Sequence, residues 1–557
     1  MIEKGIKRYL NPLAVAVVIA FFTGGCFSLW SASVVAIVMC VFMFFLLKQK
    51  GGLVLPFSLP AFIIVGVVIA YGLVVFFAAD RAMAFLGFVK MTAVTAFLLL
   101  CFQTIKEDDK KTVWNLVPLL GGLSVVVCIG GVFLTFLTGE SYFFQDDRLG
   151  GFLGYANTYA LWLLLGLVVI AFQDKLRGRD YLLFALNVCG IYLAISRSLT
   201  VISLVALALL FILRPAARKL ILTMAISGVA LAVLVLMFRG MQGDFSRLLE
   251  APGQASEWLS RLIYYKDGLR QIAVRPAGWG YLGYWYSQPA YQSAFYDTRF
   301  VHSSILQYAL DIGVIPALSL LVLGVMLIFN RKTPLMEKII LSLICGHSLI
   351  DIDLEFLLLM FIICLVIRPV ALKTVKSKLP VIIMLLLASL HLYCGLTAFA
   401  ADQGPAKLAL ALYPCHTDAL EQQMMSAATL EEAVPYAQRL AKRNDYTFLA
   451  LDTFARDSFS QGHTLDAVSF KLDSLSINRF LADDYLELLS FCAYGYESAM
   501  AAGDEKGADY YRQLIVSIPL MMEQASQSLN KDAYLLKHKP DLQLPYLALE
   551  YIENITK

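Results

Sequence analysis

The sequence predicts an all-α protein, a polytopic transmembrane helical bundle of about 12–13 spans followed by a soluble α-helical, repeat-like domain. Three observations predict it. Hydrophobic residues make up 59% of the 557 and charged residues only 16%, and the mean hydropathy of +0.70 is too high for a soluble globular chain. The apolar residues fall in runs long enough to cross a bilayer. Beyond Ala400 the chain turns polar, with helical periodicity.

In order, the apolar segments lie near 11–29, 32–47, 55–78, 83–104, 113–137, 151–173, 181–196, 198–213, 220–238, 303–329, 339–350, 354–367 and 379–398. Between them, basic clusters recur at Lys4, Lys7 and Arg8, at Lys48 and Lys50, at Lys106, Lys110 and Lys111, at Lys175, Arg177 and Arg179, and at Arg214, Arg218 and Lys219. Two more follow at Arg331, Lys332 and Lys338 and at Arg368, Lys373, Lys376 and Lys378. All fall on one side of the alternation, which the positive-inside rule makes cytoplasmic. Residues 181–213 are too long for one span, so a break at Ser196, Arg197 and Ser198 keeps both flanking basic loops inside and carries Arg197 to the outer face. The short segments at 339–350 and 354–367 fit either two spans or a re-entrant hairpin. The ten cysteines lack CxxC or Cys/His metal spacing and read as small core residues, so no metal site is expected from them.

The outer loops carry the polar residues. One, "TGESYFFQDDRLGG", holds Arg148. The large loop 239–301 holds seven basic residues (Arg239, Arg247, Arg261, Lys266, Arg270, Arg275, Arg299) against five acidic ones (Asp244, Glu250, Glu257, Asp267, Asp297). An excess of positive charge outside runs against the positive-inside trend and implies an anionic partner, either a substrate or lipid phosphate. Within it Trp258, Leu262, Tyr265, Leu269 and Ile272 share helical spacing and predict an amphipathic helix on the outer leaflet, with Arg261 at the edge of its apolar face. "RPAGWGYLGYWY" follows as a Gly- and aromatic-rich turn, and "RFVHSSILQYALDIGVIP" sets His302 at the start of the next span. Residues 1–400 thus form one domain. Residues 401–557 form a second, outside the membrane, where Ala433, Tyr436, Ala437, Leu440, Phe448 and Ala467 predict tetratricopeptide-like helix pairs packed through small residues.

Four stretches in this order resemble the superfamily of O-antigen ligases and O-antigen (Wzy-type) polymerases: "RLGGFLGYANTYA" from Arg148, "ISRSLTVISLVALALL" around Arg197, "SRLIYYKDGLRQIAVRPAGWGYLGY" around Arg261, and "VHSSILQYALDIGVIP" around His302. A fifth, "GHSLIDIDLEF" at 346–356, is similar too. Ser303 stands where the family usually has Asn. The resemblance implies a multi-pass glycosyltransferase of the bacterial inner membrane that moves a glycan from undecaprenyl diphosphate to an acceptor hydroxyl on a glycan, lipid or protein, either as a ligase or as a polymerase. It implies no cofactor and no metal, with membrane lipids and no nucleic acid as partners. His302, Arg197 and Arg261 are then the catalytic candidates, and Arg148, Asn157, Lys266, Arg275 and Tyr265 the substrate-binding ones.

The chemistry agrees with that implication. A departing diphosphate needs its charge held, which guanidinium groups do through permanent bidentate hydrogen bonds, and an imidazole can orient or deprotonate a hydroxyl near neutral pH. A secondary transporter or lipid flippase is the rival class, but repeats and mid-membrane polar sites are its signature, and here the polar groups collect at the outer face. Lys90 and the group His347, Asp351, Asp353 and Glu355 are ionisable residues within or beside apolar segments; the latter reads as a polar turn at the outer face.

Overall fold

The computed structural model describes residues 11–104, 107–138, 143–145, 148–226 and 256–557. The basic residues Lys4, Lys7, Arg8, Lys106, Arg239 and Arg247, the acids Asp244 and Glu250, and the span expected over 220–238 beyond Ile226 lie outside them.

The membrane part is built from α1 (Pro12–Phe22), α2 (Leu29–Lys50), α3 (Leu59–Val74), α4 (Arg81–Gln103), α5 (Glu107–Thr138), α6 (Ala156–Ala171), α7 (Gly178–Leu193), α8 (Arg197–Leu213), α9 (Ser256–Val274), α10 (Gly283–Tyr291), α11 (Ser304–Ile312), α12 (Val314–Phe329), α13 (Leu335–Ser348), α14 (Leu357–Val366) and α15 (Leu379–Gln403). Caps set many of the starts. Asn11, Ser28, Ser58 and Asp80 each accept a backbone N–H in the first turn of the helix that follows, satisfying donors the helix itself leaves open. Among the described residues four helices are long and apolar enough to cross a membrane (in α2, α4, α5 and α15), or five if α8 is joined to its continuation Pro215–Ile226 across a 116° bend. Helices α1, α3, α6, α12 and α14 are apolar but shorter.

One expected break is met and two expected spans are built differently. Residues 181–213 do break, with Ile195 at φ 45° between α7 and α8, as the two flanking basic loops require. The segment 303–329 is not one helix. Gly313 at φ 94° interrupts it, and a Cβ there would lie 2.9 Å from the backbone of Pro276 and Ala277, so the chain crosses too closely for any side chain. The segment 55–78 opens with a strand, Leu53–Phe57, which pairs antiparallel with Ala371–Val375.

These contacts sort the bundle into two ends. At one end Asn11 bonds the Asp109 carbonyl, Arg214 bonds the carbonyls of Ala171 and Phe172, Arg368 pairs with Glu337, and the Leu53–Phe57 ribbon ties the loop after Lys50 to the loop around Lys373. This end gathers the basic loops. The other end carries α9–α11 and meets the C-terminal helices.

Those are α16 (Ala406–Leu412), α17 (Thr417–Met425), α18 (Leu430–Ala441), α19 (Phe448–Ser460), α20 (Thr464–Ile477), α21 (Ala482–Ala502), α22 (Glu505–Gln527) and α23 (Tyr546–Thr556). Each packs mainly on its neighbour in sequence, with buried Ala433, Ala437, Ala450, Ala455 and Ala467 allowing close approach. Helix α15 runs to Gln403, so the change of composition at Ala400 falls inside its last turn. Polar contacts dock this region on the bundle: Tyr286 and Arg299 donate to Asp418, Thr417 to Asp80, Tyr413 to the Ala82 carbonyl and Arg479 to the Ala290 carbonyl.

Deep in the bundle Lys90 pairs with Glu355 at 3.2 Å and lies over the rings of Phe27 and Tyr281. The lone lysine of α4 is thus neutralised within the fold, which accounts for its tolerance at that depth.

Candidate functional site

Helix α9 forms as expected from its spacing, but its protein-facing side carries Ile263, Asp267 and Gln271, while Leu262 and Leu269 stay uncovered by protein, as a leaflet-facing pair would. Asp267 fastens the helix to the loop after α10, accepting from the Ser293 N–H and hydroxyl and from the Tyr296 hydroxyl. This fixes Arg261, half-buried, against the turn that joins α13 to α14.

In that turn lies Asp351, fully buried, and both of its oxygens are used. Oδ2 accepts from Arg261 at 3.2 Å and from the Asn157 amide at 2.5 Å; Oδ1 accepts from the Tyr155 hydroxyl at 2.7 Å and from the Ile352 N–H at 2.9 Å. The His302 Nδ1 stands 3.7 Å from Oδ1 and 3.5 Å from the Tyr155 hydroxyl. Burial alone would raise the Asp351 carboxyl, but the Arg261 guanidinium, with His302 and His347, outweighs it and holds the carboxyl well below the usual carboxylate range. Asp351 is therefore a fixed anion. Arg261 also donates to the Ile350 carbonyl at 2.7 Å, and Tyr265 donates to the His302 carbonyl at 2.8 Å.

His302 does not cap the helix it precedes. Ser303 does, its hydroxyl accepting from the Leu306 N–H. Asn in the same position would serve equally as a cap, so the departure from the family residue keeps the geometry. His302 instead sits at φ 55°, a conformation that costs a non-glycine residue about 1–3 kcal/mol and that tertiary contacts must hold. Its ring stacks on Tyr264, and among the described residues its Nε2 has no hydrogen-bond partner.

Arg148, Arg197 and Arg261 line one cleft together with Asn157, Ser196, Glu257 and Trp258. Arg148 donates to the Asn157 side chain and to the Ala194 carbonyl, and Arg197, at the first turn of α8, donates to Glu257 at 3.1 Å. Ile195 at φ 45° immediately precedes this turn, a second strained position at the cleft. Ser198 is within 3.3 Å of the His347 Nε2, and the His347 Nδ1 is 2.6 Å from Asp353, which also accepts from Thr158. That chain of bonds pins the start of α8 to α6 and to the Asp351 turn. Three arginines against Asp351 and Glu257 leave the cleft with an excess of positive charge.

The fold thus brings together six of the eight residues expected from sequence: Arg148, Asn157, Arg197, Arg261, Tyr265 and His302. Lys266 is exposed on another face of α9, and Arg275 stacks on Phe77 and Trp279; both stand apart from the cluster. Asp351 and Tyr155 are what the sequence reading missed. Asp351 was visible only as part of a polar turn, and its tie to residues about 50 to 200 positions away in the chain has no local signal. Its acidic neighbours do not gather with it: Asp353 faces His347 and Glu355 faces Lys90.

The fold and the site define a helical, multi-pass membrane protein with an arginine-lined anion cleft beside a histidine–aspartate pair. Residues 182–322 match a family model described as O-antigen ligase, which supports the O-antigen ligase superfamily and with it a ligase- or polymerase-like glycosyltransferase. The matched segment holds Arg197, Arg261 and His302, whereas Arg148, Asn157 and Asp351 lie outside it. Among curated proteins, none matches the chain.

Proposed function

We propose that the protein transfers a glycan from undecaprenyl diphosphate to an acceptor hydroxyl without a divalent metal. The observation that carries this reading is the convergence of Arg148, Arg197 and Arg261 on one cleft, with Arg261 sharing Asp351 with His302. The acceptor oxygen bonds to the anomeric carbon as the carbon–oxygen bond to the diphosphate breaks, and the electron pair leaves with the diphosphate. The arginines stabilise that charge. His302 takes the hydroxyl proton on Nε2, and the Asp351 carboxylate beside Nδ1 stabilises the resulting imidazolium. Tyr265, Tyr155 and Asn157 hold the histidine backbone and the carboxylate in place.

Helices α16–α23 make a separate tetratricopeptide-like module in this reading and favour ligation to a distinct acceptor. The basic loops at the opposite end support, by the positive-inside rule, a site and a module on the outer side of the membrane. Ser287 is buried, so topology is read from cysteines at the exposed Lys266 and Ser526, with an impermeant thiol reagent on intact cells. The reaction is tested with purified chain and a polyprenyl-diphosphate glycan. Transfer that survives EDTA and fails in Arg261→Ala is expected; dependence on added Mg²⁺ would overturn the metal-free mechanism. In a deletion strain, accumulated lipid-linked polymer marks a ligase and accumulated single repeat units mark a polymerase.

A further inference from the structure

A second cleft, of about 700 Å³, opens beside the first at the junction of the bundle and the C-terminal helices. Its chemistry is the opposite. Phe27, Trp30, Phe152, Tyr281 and Phe300 give it aromatic walls. Its ionisable groups besides Tyr281 are Asp402 at the end of α15, His416 and Asp418 at the start of α17, and Arg299, with Thr23, Ser28 and Gln403 adding neutral polar atoms. Arg299 is already paired with Asp418 at 3.2 Å, so the two carboxylates leave the cleft with an excess of negative charge.

The clefts are neighbours across a thin partition. Tyr155, bonded to Asp351 on the catalytic side, stacks on Phe356; Phe356 stacks on Phe27 with centroids 4.7 Å apart, and Phe27 meets Phe300 edge-on. Phe300 precedes His302 by two residues, and Gly154 precedes Tyr155. Phe300 thus carries the wall of the second cleft to within two residues of His302 in the chain, while Arg148, Arg197 and Arg261 line the first.

We propose that this cleft seats the acceptor, and that the acceptor is a glycan end carrying hydroxyls or amines but no phosphate. Broad aromatic walls pack against the apolar faces of pyranose rings, Asp402 and Asp418 accept from hydroxyl or ammonium groups, and their charge repels phosphate. Opposite charge in the two clefts keeps donor and acceptor from exchanging places, which is specificity by repulsion as well as attraction. This rests on the transferase reading above and adds the class of acceptor.

The test uses detergent-solubilised full chain and saturation-transfer NMR with three probes: chitotriose, its N-acetylated form, and glucosamine phosphate. Inorganic pyrophosphate is titrated separately. The two oligosaccharides are expected to bind, glucosamine phosphate to bind more weakly than either, and pyrophosphate to bind at the same time without competition. Trp30→Ala should weaken both oligosaccharides by roughly 2- to 10-fold, the worth of one aromatic contact. Asp402→Asn, at an exposed position, should erase any advantage of chitotriose over its N-acetylated form. Oligosaccharide binding unaffected by either substitution, tighter binding of the sugar phosphate, or no oligosaccharide binding at all overturns the proposal. Pyrophosphate binding that persists in that case leaves the donor reading standing, whereas oligosaccharide binding without pyrophosphate binding overturns the donor reading instead.

Discussion

Two regions of this protein cluster charged side chains, and they do so with opposite results. At the bundle end, Arg148, Arg197 and Arg261 outnumber Asp351 and Glu257 and face a cleft. In the C-terminal helices, Lys471 is fully buried with Asp452, Asp484 and Glu487 at 2.7–2.8 Å, and Arg456 closes the group from outside on Glu487. The three carboxylates converge closely enough to hold a metal, but the lysine ammonium already occupies their centre. The difference teaches how to tell a brace from a site. A brace is closed, with every charged group paired inside the chain. A site leaves charge of one sign turned toward open space, with strained backbone at Ile195 and His302 holding it there.

The sharpest way to break this comparison is to remove His302. His302→Ala should retain polyprenyl-diphosphate binding and lose on the order of 10² to 10⁴ in single-turnover transfer, the usual contribution of a positioned base. Wild-type transfer in a folded variant would make the histidine a mere helix-start residue. Next, Arg197→Lys keeps the charge but not the planar fork, so transfer should still fall, toward the roughly 10² to 10³ expected for loss of one charge-stabilising donor. Full activity with lysine would mean that charge alone matters in the cleft.

Asp351→Asn tests positioning. It keeps the shape but frees Arg261 and His302 from a shared anion, and misplacement of this kind costs roughly 10²-fold. The distinguishing readout is the pH profile of transfer, which should shift because the carboxylate no longer stabilises the imidazolium; a rate loss with an unmoved profile would reduce Asp351 to a structural role. Against these stands Lys471→Ala, which leaves one buried and two half-buried carboxylates without their shared cation and should cost about 3–5 kcal/mol of stability. Thermal melting should fall while transfer per folded molecule is unchanged, and loss of donor binding without loss of stability would erase the distinction drawn above.

The smallest effect concerns Glu421 in α17. Burial, then the nearby Asp418, Asp80 and Asp297, push its carboxyl up to about 8. The folded chain thus holds this proton more tightly than the unfolded chain, whose carboxyl titrates near ~4.3, so stability falls as pH rises between those values. Glu421→Gln should flatten that part of the melting-temperature profile; an unchanged slope would assign it to other groups.

Much of this was legible in the sequence. Hydropathy alone demands a helical membrane bundle, because a backbone in lipid must satisfy its own hydrogen bonds, and the break at Ser196–Ser198 followed from charge placement and span length. Arg148, Arg197, Arg261 and His302 stood out as ionisable groups at the rims of apolar segments, which is a local property of the chain. What only the tertiary structure decided is non-local. Asp351 gathers Tyr155, Asn157, Arg261 and His302 from three separate segments, and nothing in the residues around it announces those partners. The break at Gly313 arises because another stretch of backbone passes against it, and Lys266 and Arg275 part from the cluster because helix rotation and an aromatic stack, not proximity in sequence, set where a side chain ends. Charge and hydropathy say which residues need a partner or a bilayer; packing chooses the partner.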